Sequence, residues 1–289
     1  MTNDYQLPGV RLVGYQPQYF PRLHYYARIL NTDIFKISDN LQYVRRHSYP
    51  TKDGTAYNGP SYQAHTPIKT SQGIHLLDMP VRHLGAQNAR TMNTVELDYS
   101  DEWSKKHLRN IELSYGKAPN FKSLYPSLTL LLGVEYGSLA ACTVASTLWG
   151  LAVLFELPLL TLETFALPTI NELLPVAGTR LKKIVRMSEA GIPPADKAGE
   201  EDVNDWIIAN CREFGANEYY YGGTAASSYI NKERIQAAGI TLIQQDWQCA
   251  QYPQCFPKRA FIPNLSIIDL LMNVPPDEAR RILSTPNQV

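Results

Sequence analysis

The sequence predicts an α/β fold in which a mixed or mostly parallel sheet is flanked by helices, with a helical subregion in mid-chain. Three stretches carry that expectation. Val10 to Ile29 (VRLVGYQPQYFPRLHYYARI) reads as strand, turn and helix. Val10, Leu12 and Val13 suit a short buried strand, Pro17 and Pro21 stop regular pairing, and Leu23, Tyr26, Ala27 and Leu30 recur at helical spacing. Glu200 to Gln244 reads helix, strand, turn, helix, strand, the pattern of parallel α/β units. Tyr136 to Phe155 carries no charge and reads as a buried helix. Together they describe a Rossmann-like core, divided into 1–122, 123–200 and 201–289 or formed as one continuous domain.

Composition narrows the function classes. Lys plus Arg and Asp plus Glu are balanced at 27 each over 289 residues, so no overall field recruits nucleic acid or an anionic membrane, and a polyanion such as tRNA would have to meet a local basic patch. Tyrosine outnumbers phenylalanine by 18 to 8, supplying many rings with a polar tip able to line a polar pocket. Cys142, Cys211, Cys249 and Cys255 show no CxxC spacing, and the Cys249/Cys255 pair has no nearby His to complete a zinc site. Free thiols, no metal and a cytoplasmic location are therefore expected. The opening MTNDYQLPG has neither the basic region nor the apolar run of a signal peptide. Tyr136 to Phe155 is long enough to span a bilayer, but Gly137, Ser138, Thr143, Ser146, Thr147 and Gly150 dilute it, and no Lys/Arg cluster flanks it. A core helix, and no membrane span, is the expectation.

Taken in order, the turn after the first strand carries Tyr15, Gln16 and Gln18, with no GxGxxG or GxxxxGK[ST] loop. A helix beginning beyond a strand's carboxyl end presents unpaired N–H groups to the crevice where open α/β sheets bind ligands. Ile34 to Ser38 predicts a second strand ending at Asp39 and Asn40. Gln42 to Gly73 is long and irregular, with Arg45, Arg46, His47, His65 and Lys69 as either a solvated basic loop or an anion clamp. Leu76 to Val81 and Asn93 to Tyr99 read as strands, and Ser100 or Asp101 as the cap of a helix carrying His107. Phe121 to Phe155 reads as helical with an interruption at Pro126. Leu157 to Arg186 shows no clear pattern, and Ser188 and Glu189 follow its basic run. Glu218 to Tyr221 predicts a strand ending at Gly222 and Gly223, and Ile240 to Gln244 another. Two short helices split by Pro275 and Pro276 close the chain.

The blocks GYQPQYFPRLHYYARI, IFKISDNLQYVRR, EWSKKHLRNIELSYGKAPNF, MSEAGI, CREFGANEYYYGG and FIPNLSIIDLLMNV resemble, in order, those of the WbqC-like protein family. The resemblance runs from about Val10 to Leu283. It departs at Tyr15, where the family usually has His, at Arg22, where it usually has Trp, and in insertions around Ser48 to Ser61 and Leu159 to Lys183. The chain thus looks like a diverged member. Such members are associated with O-antigen, other surface-glycan and natural-product gene clusters, with transfer of a glycyl or other aminoacyl group to an amino sugar as the suggested role. Position by position, the resemblance marks Gln16, Asp39, Lys69, His107, Ser188, Glu189 and Gly222. Tyr15 cannot simply replace a His base, because a phenol with a pKa of about 10 keeps its proton at neutral pH.

Three functions remain open. The first is an acyl or aminoacyl transferase using an activated donor, aminoacyl-tRNA among the candidates, and a small-molecule acceptor. There His107 or Asp39 would take a proton, and Lys69 or Arg46 would hold a phosphate or carboxylate. Tyr15, Gln16, Gln18, Ser188, Glu189, Gly222 and Gly223 would bind substrate, and the helix after Pro21 would receive an anion. The second is a nucleotidyl or adenylate-forming transferase using ATP, and the third a non-catalytic binding or partner protein. No resident cofactor is evident.

Overall fold

The computed structural model describes residues 9–50, 56–82, 90–158, 161–174, 179–192, 202–222 and 230–284. The opening unit is strand β1 (Arg11–Tyr15), helix α1 (Leu23–Leu30) and strand β2 (Ile34–Ile37). Two antiparallel hairpins follow, β3 (Arg46–Pro50) with β4 (Ala56–Pro60) and β5 (His65–Thr70) with β6 (Gly73–Asp78). Helices α2 (Trp103–Tyr115), α3 (Phe121–Leu132), α4 (Leu139–Leu154) and α5 (Leu167–Glu172) lead to β7 (Lys183–Arg186). The chain then runs through α6 (Val203–Glu213), β8 (Glu218–Tyr221), α7 (Lys232–Ala237), β9 (Thr241–Gln244), α8 (Ile267–Asn273) and α9 (Pro276–Ser284).

Alternation along β1 fixes the layers. Leu12 points to one face, packing with Ile207, Ile208 and Cys211 of α6, while Val13 points to the other and joins α1, α4, α8 and α9 in the main core. The sheet is wholly parallel in the order β7-β2-β1-β8-β9. Counting only these five strands along the chain, the order is 3-2-1-4-5, and direction reverses between β1 and β8. The fold is therefore α/β, with a parallel Rossmann-like sheet flanked by helices.

Helix α4 is buried on all sides except at Ala141 and Ala145, which explains why its sequence lacks charge. Its small polar residues hold the β1–α1 turn: Ser146 Oγ accepts from Phe20 N (3.0 Å), and Tyr26 donates its hydroxyl proton to Thr147 O (3.0 Å). Among the described residues no helix is long and apolar enough to cross a membrane.

Several local expectations are corrected. Asn93 to Tyr99 forms no extended strand; Leu97 only bridges Val81, and the alternation serves to bury Val95 and Leu97. Helix α2 is preceded by Glu102 in left-handed conformation (φ 47°) with no side-chain cap; Asp98 accepts from Ser100 N (3.0 Å), and the Asp101 carboxylate is taken by Lys106. Pro126 lies inside α3, and the helical run breaks instead between Leu132 and Leu139. The irregular stretch after Gln42 holds strands of both hairpins, and the basic run ending at Arg186 contains β7.

Candidate functional site

In an open parallel sheet, ligands bind beyond the carboxyl ends of the strands, at the point where strand order reverses. Here that point lies between Tyr15 at the end of β1 and Tyr221–Gly222 at the end of β8.

Beside it, β2 and β7 set up a carboxylate cluster. The parallel ladder continues past both strands, with Ser38 N donating to Tyr15 O (2.9 Å) and Met187 N to Ile37 O (3.0 Å). Asp39 thereby sits fully buried against the end of β7. Its carboxylate accepts from Arg186 Nε (2.7 Å), Ser188 N (3.0 Å) and Ser188 Oγ (2.5 Å). Arg186 also donates to Glu189 Oε1 (2.9 Å). Gln16 forms an amide relay, its Oε1 accepting from Gln63 (2.8 Å) and its Nε2 donating to Gln42 O (3.2 Å).

At the reversal itself, Tyr15 lays its ring over the guanidinium of Arg28, 4.4 Å from centroid to Cζ. Arg28 is only 4 % exposed, and its hydrogen bonds go to a neutral group, Gln245 Oε1, from Nε (2.8 Å) and Nη2 (2.6 Å). Gln245 continues the β8–β9 ladder through its N–H to Tyr221 O (2.8 Å) and donates Nε2 to His24 O (2.8 Å). Gly222 leaves room here for the guanidinium, since a Cβ would stand 2.3 Å from Arg28 Nη2. On the sheet's other face Lys36 is 1 % exposed, donating to Asn210 Oδ1 (2.5 Å) with its ammonium 3.7 Å above the Trp206 ring. Burial drives the Lys36 pKa down to about 7.

Six of the expected residues therefore gather along the strand ends: Tyr15, Gln16, Asp39, Ser188, Glu189 and Gly222. Gly223 lies outside the described residues. Gln18 is buried behind the turn, its carbonyl facing the hydroxyls of Ser146 and Thr147. Arg46 is exposed at the start of β3.

His107 stands elsewhere and is fully committed. Its Nε2 is 3.1 Å from Asp78 O, an acceptor, so Nε2 carries the proton and Nδ1 accepts from the Tyr19 hydroxyl (2.9 Å). Burial pushes its pKa down to about 4, holding it neutral with no ring nitrogen left for a substrate. The reading of His107 as a base is corrected accordingly. Lys69 is likewise withdrawn into a network. Its Nζ donates to Gln254 Oε1 (3.2 Å), and Gln254 Nε2 (2.9 Å), Tyr115 (2.9 Å) and Tyr252 (2.7 Å) donate to buried Asp269. That closed network ties β5, α2 and α8 together and offers no clamp at the strand ends. The start of α1 is also occupied: Leu23 N donates to Leu265 O (3.1 Å) and His24 N to Asn264 Oδ1 (3.0 Å), so the expected anion site at that terminus is corrected too.

Among the described residues no group of three His, Cys, Asp or Glu could hold a metal ion, and the four cysteines are free thiols. Arg28 and Lys36 are the residues that sequence reasoning missed. The available signal for Arg28 was a helix with no acidic residue, apolar around most of its circumference, which leaves Arg28 nowhere solvated to point.

A family model described as the WbqC-like protein family matches residues 16–281. The chain belongs to the WbqC-like protein family. It is similar to the uncharacterized protein Rv1507c of Mycobacterium tuberculosis (strain ATCC 25618 / H37Rv), at 25% identity over 263 residues that cover 90% of this chain and 91% of that one. No solved structure matches it. In this WbqC-like chain, the ring of Tyr15 is the platform on which Arg28 rests.

Proposed function

We propose that this WbqC-like protein is a transferase that moves an acyl group, aminoacyl in the first instance, from an activated donor to an amine or hydroxyl of a sugar or natural-product intermediate. The observation that carries the reading is the convergence of Asp39, Ser188, Arg186, Tyr15 and Gly222 on the strand ends that flank the order reversal. An activated ester already has its leaving group, so the protein must hold two reactants together and remove one proton. Ser188 is exposed and gives its own proton to Asp39 in a 2.5 Å bond. An acceptor nitrogen or oxygen bound to Ser188 Oγ can therefore pass its proton along that bond to Asp39. As it does so, its lone pair forms the new bond to the acyl carbon, and the donor oxygen departs with the old bond's electrons. Arg186 stabilises the carboxylate before transfer and orients Ser188 through it.

Intact-mass analysis of the neighbouring pathway intermediate tests this. Incubation with charged tRNA should add one aminoacyl mass without ATP, and Asp39→Asn and Ser188→Ala should each reduce the rate by about 10²-fold or more. A requirement for ATP, with pyrophosphate released, would instead assign the chain to adenylate formation. One observation favours a second reading, that of a non-catalytic binding protein: His107 has both ring nitrogens committed. Unchanged pathway output with folded Asp39→Asn would select it.

A further inference from the structure

The burial of Arg28 calls for a counter-charge that the described residues do not supply. A cation removed from water is ordinarily paired with an anion, and Arg28 has no carboxylate within ion-pair distance among the described residues. Its only hydrogen-bond acceptor among the described residues is the amide oxygen of Gln245, which takes Nε and Nη2. Nη1 has no acceptor among the described residues, so the end of the guanidinium formed by Nη1 and the second proton of Nη2 remains a planar two-pronged donor. Tyr15 covers one face of that plane at 4.4 Å. A second, independent group points the same way. The Tyr25 hydroxyl is fully buried with no hydrogen-bond partner among the described residues, and the Tyr25 ring packs edge-on against Tyr15 at 5.2 Å. Tyr15 and Gly222 are both half-buried.

We propose that Arg28 and the Tyr25 hydroxyl form a subsite for an anionic substrate group with two coplanar oxygens, a carboxylate or a phosphoryl group, entering between Tyr15 and Gly222. The fork accepts the two oxygens side by side, and the tyrosine hydroxyl donates to one of them. Gln245 holds the guanidinium in orientation from behind, and Gly222 leaves the space that the fork occupies. The subsite rests on the reading of the strand ends as the place where substrate binds, and not on the transfer step itself.

Ligand-observed NMR titration of the full chain tests it, with acetate and methyl phosphate as probes and acetamide as the uncharged control at matched ionic strength. Acetate, methyl phosphate or both should bind, acetamide at least tenfold more weakly, and the better of the two probes names the substrate group. Arg28→Lys keeps the charge and loses the fork, and Gly222→Ala crowds it; each should weaken the better probe at least tenfold with the circular dichroism spectrum retained. If either variant fails to fold, Tyr25→Phe serves in its place and should weaken binding three- to tenfold. Equal binding of acetamide, no binding of either anion, or full binding by folded Arg28→Lys would overturn the proposal. Anion binding with no transfer activity would fault only the transferase reading, whereas transfer activity without anion binding would fault only the subsite.

Discussion

The two ends of the central sheet treat charge in opposite ways. At the amino end Arg11, Arg180 and Lys182 each meet a carboxylate: Arg11 pairs with Glu218 (2.8 Å), and Asp33 accepts from Arg180 (2.7 Å), Lys182 (2.9 Å) and the backbone N–H of Arg11 (2.9 Å). At the carboxyl end Arg186 is paired with Asp39, but Arg28 and Lys36 are buried against amides and ring faces. Pairing at one end fastens the strands. Unpaired burial at the other opposes folding, and sequences keep such features where a ligand or a reaction requires them.

The sharpest way to break the contrast is at its closed end. Asp33→Ala strips acceptors from two cations and a backbone N–H at once, and unfolding in denaturant should show a loss of about 2–3 kcal/mol. A loss below about 0.5 kcal/mol would mean that the amino end is no better fastened than the other.

The next effect has the opposite sign. Lys36→Met should raise stability at pH 7 by about 1–3 kcal/mol, because it removes a buried charge that lacks an anionic partner among the described residues. The folded pKa of about 7 lies below the unfolded value of about 10.4, so the unfolded chain binds the extra proton between them. Wild-type stability should therefore rise with pH from about 7 to about 10, and the variant should lose that rise. Equal slopes would show that Lys36 stays charged when buried.

A separate effect, confined to acid pH, comes from the histidines. Burial lowers the pKa of His107 to about 4 and that of His24 to about 3, so the unfolded chain takes up protons below about pH 6.5 that the folded chain refuses. Stability should fall as pH drops through that window, by about 1.4 kcal/mol per pH unit for each group. His107→Gln should reduce the proton uptake on unfolding at pH 5 by about one; an unchanged uptake would contradict the buried neutral ring.

Much of this architecture was legible in the sequence, for local reasons. β1, β2, β8 and β9 announce themselves as short apolar or aromatic runs, α1 and α6 by apolar residues at helical spacing, and α4 because even its polar positions are small. β7 does not, since only Ile184 and Val185 are buried in it and Lys183 and Arg186 disguise them. The candidate site divides along the same line. Asp39 and Gly222 were legible as polar or flexible residues at strand ends, and Ser188 through the family resemblance alone, since the strand before it was not legible. Arg28 was legible only as a cation on a helix with no acidic residue, because Gln245 and Gly222, which enclose it, lie about two hundred residues away in the chain. His107 misled for the complementary reason: a His on a helix looks available until Tyr19 and Asp78 arrive from distant segments to take both nitrogens.

The contrast between the two ends comes down to whether Arg28 fastens the fold or awaits a partner, and the unfolding free energy of Arg28→Met at neutral pH, without added anions, measures that directly. A chain that keeps an unpaired guanidinium for its ligand should be as stable as the wild type or more so when it is removed. A loss of about 2 kcal/mol or more, matching that of Asp33→Ala, would show that Arg28 is as structural as the pairs at the opposite end.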